Sequence, residues 1–146
     1  MLPESIELQV VTPERHVLEE TVQATEIPGK GGYLGVLPGH APLITELGIG
    51  ILAYRTRSET RYLTIINGYA EVLPNRVIVL AEISEKAEEI DVGRSRAAHD
   101  RAQAELGHLA VASPEWQQER RAVERSLVRM GAAAKAGVPG APSVTR

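Results

Sequence analysis

The titratable side chain most open to a chemical reading is His40, in Leu37-Pro38-Gly39-His40-Ala41-Pro42. Acid–base or nucleophilic use of an imidazole requires a second reactive group within reach. The surrounding sequence offers only Thr45 and Glu46, and no Gly-x-Ser-x-Gly elbow occurs. The residue types fit better a histidine that hydrogen-bonds the backbone of its own Pro-flanked turn, or one that lines a protein interface. His16, His99 and His108 are scattered, without metal-ligand spacing. The chain has no cysteine, which removes thiol nucleophiles, disulfides and Cys-based metal sites. Pro28-Gly29-Lys30-Gly31-Gly32 is rich in glycine but lacks the Gly-Lys-Ser/Thr ending of a phosphate loop, and no helix pattern follows it. It reads as a mobile, exposed connection and a contact surface.

The arginines form the second constellation. Arg94 and Arg101 are seven apart, hence on one helical face. Arg120, Arg121, Arg125 and Arg129 crowd a later segment that ends in Lys135. Arg121, Arg125 and Arg129 make a ladder of like charges four apart, which costs roughly a few tenths of a kcal/mol per pair in an isolated helix. Three readings stand together: a bidentate grip on a polyphosphate, a charge-steered grip on an acidic partner segment, or a solvated face.

Elements must position these groups. Ile6, Leu8 and Val10 alternate with polar residues, and Leu18, Val22 and Ala24 share one face of a second strand, both with the period of two of a half-buried strand. Thr12-Pro13-Glu14, Ser58-Glu59 and Pro74-Asn75 mark turns, and Asn67-Gly68 carries the strongest short hairpin signal. Short strands with turns at this spacing predict an antiparallel β-sandwich or barrel. Tyr33–Leu47 carries Pro38 and Pro42, so no helix runs through it; it is expected as a core segment crossing between sheet edges. Val77–Ala81 is apolar on both faces and is expected to be central, or covered on its outer side.

From Glu82 the character changes to acidic, then to Ala- and Arg-rich. Asp91 caps a helix whose apolar side is Ala98, Ala102 and Leu106 with Leu109 beyond, and Ser113-Pro114 starts a second whose stripe is Trp116, Val123, Leu127, Met130 and Ala134. A connection this short implies an antiparallel helical hairpin. Its Ala-rich faces bury little area, so its docking is expected to be weak and the hairpin a candidate switch. The predicted organisation is 1–85 sandwich, 86–135 helical hairpin, and 136–146 a disordered tail.

The chain has 146 residues, 43% hydrophobic and 24% charged, with no Phe and one Trp, which fits a soluble globular protein with an aliphatic core. A net charge of −3 gives no argument for nucleic-acid binding. The N-terminal stretch, with Glu4 and Glu7, lacks the basic and apolar regions of a signal peptide, and no apolar run approaches the ~18 residues of a spanning helix.

Leu34-Gly35-Val36-Leu37-Pro38-Gly39-His40-Ala41-Pro42-Leu43, Asn67-Gly68-Tyr69-Ala70-Glu71-Val72, Asn75-Arg76-Val77 and Ile90-Asp91-Val92-Gly93-Arg94 follow one another in an order and spacing that resembles the epsilon subunit of F-type ATP synthase, across about residues 4–135. The resemblance implies a sandwich of about ten strands followed by a two-helix hairpin. It implies a non-catalytic rotor subunit of the proton-translocating synthase, which couples c-ring rotation to ATP synthesis and restrains ATP hydrolysis through the hairpin. Lys30, Gly31, Gly32 and Tyr33 correspond to an edge facing the c-ring, and His40 to a surface facing the gamma subunit. Arg120, Arg121, Arg125 and Arg129 would meet acidic segments of the alpha and beta subunits. No cofactor is required. Some members bind ATP as a regulatory ligand through Ile/Leu-Asp-x-x-Arg-Ala, matched here by Ile90, Asp91 and Arg94 with Ser95 in place of Ala, and Arg101 and Arg125 would complete such a site. Membrane association would be indirect, through the complex, on the cytoplasmic face of a bacterial energy-coupling membrane or the stromal face of a thylakoid. A free-standing sandwich with a nucleotide-sensing hairpin is the rival reading, and a small enzyme using His40 a third.

Overall fold

The computed structural model describes residues 2–142. It divides into two units, one ending at Lys86 and one beginning at Ala87. The first holds seven strands: β1 (Ile6–Val11), β2 (His16–Val22), β3 (Ala24–Gly29), β4 (Gly32–Val36), β5 (Leu43–Arg55), β6 (Thr60–Leu73) and β7 (Arg76–Lys86). They form one hydrogen-bonded sheet in the order β2-β1-β7-β6-β5-β3-β4. All neighbours are antiparallel except β1 and β7, which run parallel.

The sheet becomes a sandwich at one row of residues. Core side chains of β5, β6 and β7 fall at Leu47, Ala70, Val72, Val77 and Val79 on one side of that row. On the other side they fall at Leu52, Tyr54, Leu63 and Ile65, of opposite parity in β5 and β6. Successive strand side chains point to opposite faces, so one core can take both sets only if each strand kinks between them. The kink lies where the β5–β6 ladder skips from Leu47↔Gly68 to Ile49↔Ile66 and the β6–β7 ladder from Gly68↔Ala81 to Ile66↔Ile83. Gly48, Asn67 and Glu82 are thus aligned across three strands at the corner where the sheet folds over.

Asn67-Gly68 is therefore not a hairpin turn, as its residue types predict, but the bend inside the 14-residue β6. Both residues have positive φ, 55° and 135°, the conformations that make Asn-Gly a turn pair. Here the neighbouring ladders hold the chain in register through the bend. Because β5, β6 and β7 each serve both layers, the seven continuous strands do the work of the ten expected.

Two further expectations change. Ala24 opens β3 rather than extending β2, after a break at Gln23. The segment from Tyr33 to Leu47 is not a core crossing along its length. It leaves edge strand β4, turns at Pro38-Gly39 and enters β5; Val36 and Leu47 are buried, but Tyr33, Leu37 and Ile44 are exposed. Strand β7 is central, as expected, between β1 and β6, and Leu80 on its outer face is 55% exposed.

The second unit begins with a 3₁₀ turn (Ala87–Glu89), then α1 (Val92–Leu106) and α2 (Pro114–Lys135). Asp91 caps α1 by accepting from the Arg94 amide at 3.0 Å, and Ser113 caps α2 by accepting from the Trp116 amide at 3.1 Å. The buried side of α1 is Val92, Ser95 and Ala102, and that of α2 is Ser126, Met130, Ala132 and Ala133. Leu127, expected in the stripe, is exposed. Small residues let a helix pack closely, and the wide, apolar Leu127 falls one position outside that narrow face. After α2, the Val138 amide bonds the Ala133 carbonyl at 2.9 Å, and Arg96 Nη2 donates to the Gly140 carbonyl at 3.1 Å, which ties the end of α2 to the start of α1. Of the tail expected to be disordered, residues 136–142 carry these turns and 143–146 lie outside the described residues.

Candidate functional site

The glycine segment is a tight hairpin tip. Gly29 pairs with Gly32 across the two-residue turn Lys30-Gly31. A Cβ on Gly29 would lie 2.6 Å from the Gly32 carbonyl oxygen, so the closure leaves no room for a side chain. The tip is fastened to β5 twice. The Lys30 amide donates to the Glu46 carbonyl at 2.9 Å, and Lys30 Nζ lies 3.2 Å from Glu46 Oε1. The Tyr33 hydroxyl accepts from the Ile51 amide at 3.0 Å. The β3–β5 ladder shifts register between Glu26 and Gly29, and Tyr33 supplies an acceptor at that irregularity. Lys30, Gly31, Gly32 and Tyr33 thus share one exposed, anchored tip.

His40 sits just after the Pro38-Gly39 turn. Its amide donates to the Leu37 carbonyl at 3.1 Å, and Nδ1 donates to the Ala41 carbonyl at 2.7 Å. The Gly39 amide bonds the Pro74 carbonyl at 2.7 Å, fixing this turn to the β6–β7 turn. The imidazole is therefore held by its own Pro-flanked backbone, which leaves Nε2 as its other ring nitrogen. Among the described residues no cluster of His, Cys, Asp or Glu is arranged to hold a metal.

In the helical unit, Ile90 is 5% exposed and Asp91 spends a carboxylate oxygen on the cap. Arg94 and Arg101 are exposed on α1, and Arg125 is half-buried on α2. Arg120 and Arg121 are exposed and Arg129 half-buried. Arg120 lies over the Trp116 ring, 5.8 Å from its centroid, and 3.6 Å from Glu124. That pair is worth about 0.3–0.5 kcal/mol. His99 Nδ1 lies 3.1 Å from its neighbour Asp100.

One group of residues was not singled out by sequence reasoning. Ile44 (72% exposed), Tyr69 (57%) and Leu80 (55%) lie on the outward face of the sheet, beside a concavity of about 390 Å³ lined by Val11, Pro13, Tyr69, Leu80 and Glu82 among others. The signal was present in the two-sided apolar pattern of Val77–Ala81, but only the sheet order shows that its outer side is uncovered. Among the described residues no helix is long and apolar enough to cross a membrane.

Comparison with known proteins gives a consistent set of relatives. Residues 5–87 match the family model for the ATP synthase delta/epsilon chain β-sandwich domain. The chain is 50% identical over 105 residues to the ATP synthase epsilon chain of Koribacter versatilis, covering 72% of this chain and 74% of that one. It is 40% identical over 136 residues to ATP synthase epsilon chain 2 of Syntrophotalea carbinolica, covering 93% and 99%. Among solved structures it is similar to a chain of the Euglena gracilis mitochondrial ATP synthase OSCP/F1/c-ring assembly, with a TM-score of 0.75, 25% identity, and coverage of 94% of this chain and 84% of that one.

Proposed function

Since the chain belongs to the delta/epsilon chain family of ATP synthase, we propose that it is the rotor subunit that couples c-ring rotation to ATP synthesis and restrains ATP hydrolysis through its helical hairpin. It is a non-catalytic subunit. The observation that carries the reading is that the similarity at 40% identity runs through the hairpin, over 99% of the Syntrophotalea carbinolica relative, and is not confined to the sandwich. In this reading the anchored tip of Lys30, Gly31, Gly32 and Tyr33 rests on the c-ring, and the His40 turn faces the gamma subunit. A rotor contact must transmit torque, and the two fastenings of the tip to β5 support that use. The assembly would hold the chain peripherally on the cytoplasmic face of the energy-coupling membrane, or the stromal face of a thylakoid.

The hairpin has the chemistry of a reversible arm. The buried faces of its two helices are Ser, Ala and Met with one Val, so pairing α1 with α2 buries little apolar area per residue and contributes little at ~25 cal/mol per Å². A weakly held helix pair lets modest ligand contacts shift the population. Extended, α2 would present Arg120, Arg121, Arg125 and Arg129 to acidic segments of the alpha and beta subunits. ATP held by Arg94, Arg101 and Arg125 beside Ile90 and the Asp91 cap would favour the folded arm. The decisive experiment deletes residues 91–146 within the assembled complex. Faster ATP hydrolysis with assembly intact is expected; an unchanged rate rules out inhibition by the hairpin.

A further inference from the structure

We propose that residues 137–142 are a clasp that holds the helical hairpin closed and so sets how readily the arm opens. The proposal rests on the reading of the hairpin as a reversible arm, and adds the device that governs it.

Two successive turns build the clasp. The first is a complete Schellman stop on α2. The Gly137 amide bonds the Ala134 carbonyl at 3.1 Å, the Val138 amide bonds the Ala133 carbonyl at 2.9 Å, and Gly137 has φ of 72°. This motif satisfies carbonyls that the helix end leaves open and turns the chain back. Pro139-Gly140 then makes the second turn. The Ala141 amide bonds the Val138 carbonyl at 3.2 Å, and Gly140 has φ of 83°. Proline followed by a glycine of positive φ is the pair that a type II turn requires. The Gly140 carbonyl is thereby set 3.1 Å from Arg96 Nη2 on α1, 44 residues back in the chain.

Ending α2 needs only the first turn. The second satisfies no helix carbonyl, and what it delivers is the contact with α1. That contact lies at the end of the pair where no chain connection joins the helices. The other ends are joined by residues 107–113, so the tail turns the pair into a closed loop. Between the two ends, the helices meet through narrow faces of Val92, Ser95 and Ala102 on α1 and Ser126, Met130, Ala132 and Ala133 on α2. In a pair held this weakly, one charge-assisted hydrogen bond counts for much, and its acceptor is preorganised by two turns.

Amide hydrogen exchange in the full chain reads the opening. Helix α1 has 15 residues with Gly93 in its first turn, so it is marginal alone, and its Ala102 amide exchanges when the pair parts. Arg96→Ala is expected to quicken exchange at Ala102 about threefold to tenfold. Alanine has the higher helix propensity, so a weaker helix does not account for that change. Gly140→Ala keeps the carbonyl but strains the turn and should act in the same direction. Arg96→Lys, which retains a cationic donor, should recover part of the loss. Gln103→Ala, at an exposed position of α1, should exchange as wild type. In the assembled complex Arg96→Ala should slow ATP hydrolysis, by up to the same factor, because a freed arm extends more often. Wild-type exchange in both Arg96→Ala and Gly140→Ala overturns the clasp and leaves the arm standing. Faster exchange with wild-type hydrolysis, in a complex whose rate rises on deletion of residues 91–146, overturns the clasp as a regulator. A rate unmoved by that deletion overturns the arm, and the clasp as its regulator with it.

Discussion

Replacing Gly68 by alanine should unfold the corner of the sandwich. An added Cβ would lie 2.0 Å from the Leu80 carbonyl oxygen and 2.9 Å from the Ala81 Cα, both backbone atoms of the adjacent strand. Gly68 also has φ of 135°, which an L side chain disfavours. Holding such a residue there costs about 1–3 kcal/mol. Moving the Leu80 carbonyl away weakens the ladder at a further ~1 kcal/mol per hydrogen bond lost. A loss of about 3 kcal/mol follows, and at roughly 4–8 °C per kcal/mol for a domain of this size the sandwich should melt ~12–24 °C lower. Gly35→Ala is the control: it lies in β4 with no heavy atom within 4 Å of its added Cβ, and should change stability by no more than ~0.5 kcal/mol. Differential scanning calorimetry measures both. A Gly68→Ala chain melting within a few degrees of wild type would refute the corner argument, since the bend would then tolerate a side chain it has no space for.

Asn67→Val puts a β-branched residue at φ of 55° and should cost about 1–2 kcal/mol, seen as a shifted urea midpoint. Tyr33→Phe removes the acceptor of the Ile51 amide; a loss of about 0.5–1.5 kcal/mol and faster hydrogen exchange at Ile51 are expected, and unchanged exchange there would count against the anchoring role. Ser113→Ala removes the α2 cap and should cost about 1 kcal/mol of local stability, read from exchange at the Trp116 amide. The ATP site proposed on the hairpin predicts measurable ATP binding by the isolated chain in calorimetry that Arg94→Ala abolishes, and equal heats in variant and wild type would dissociate Arg94 from nucleotide.

Signals carried by neighbouring residues were legible in the sequence. Asp91 and Ser113-Pro114 announce helix starts because capping is settled within one turn of chain, and both caps form as expected. The alternation of Ile6, Leu8 and Val10 gives β1 because a period of two sorts faces without reference to the rest of the fold. The same locality explains the failure at Asn67-Gly68. The dipeptide specifies positive φ, and whether that reverses the chain or only bends it depends on the strands either side, which are distant in sequence. The stripe of α2 was misplaced at Leu127 for a related reason: hydrophobicity ranks leucine above serine, but close packing selects Ser126.

The sequence by itself determined two units of different character, an aliphatic strand-rich part ending near Lys86 and a capped, arginine-rich hairpin, because composition, caps and periodicity are properties of short stretches. It also determined the family, through the order and spacing of short blocks. Only the tertiary structure decided that Gly48, Asn67 and Glu82 align into one corner, that Tyr33 fastens the glycine tip to Ile51, and that Ile44, Tyr69 and Leu80 meet on an open face. Each of these depends on the register between strands, and register is fixed by burying a common core that no local stretch contains.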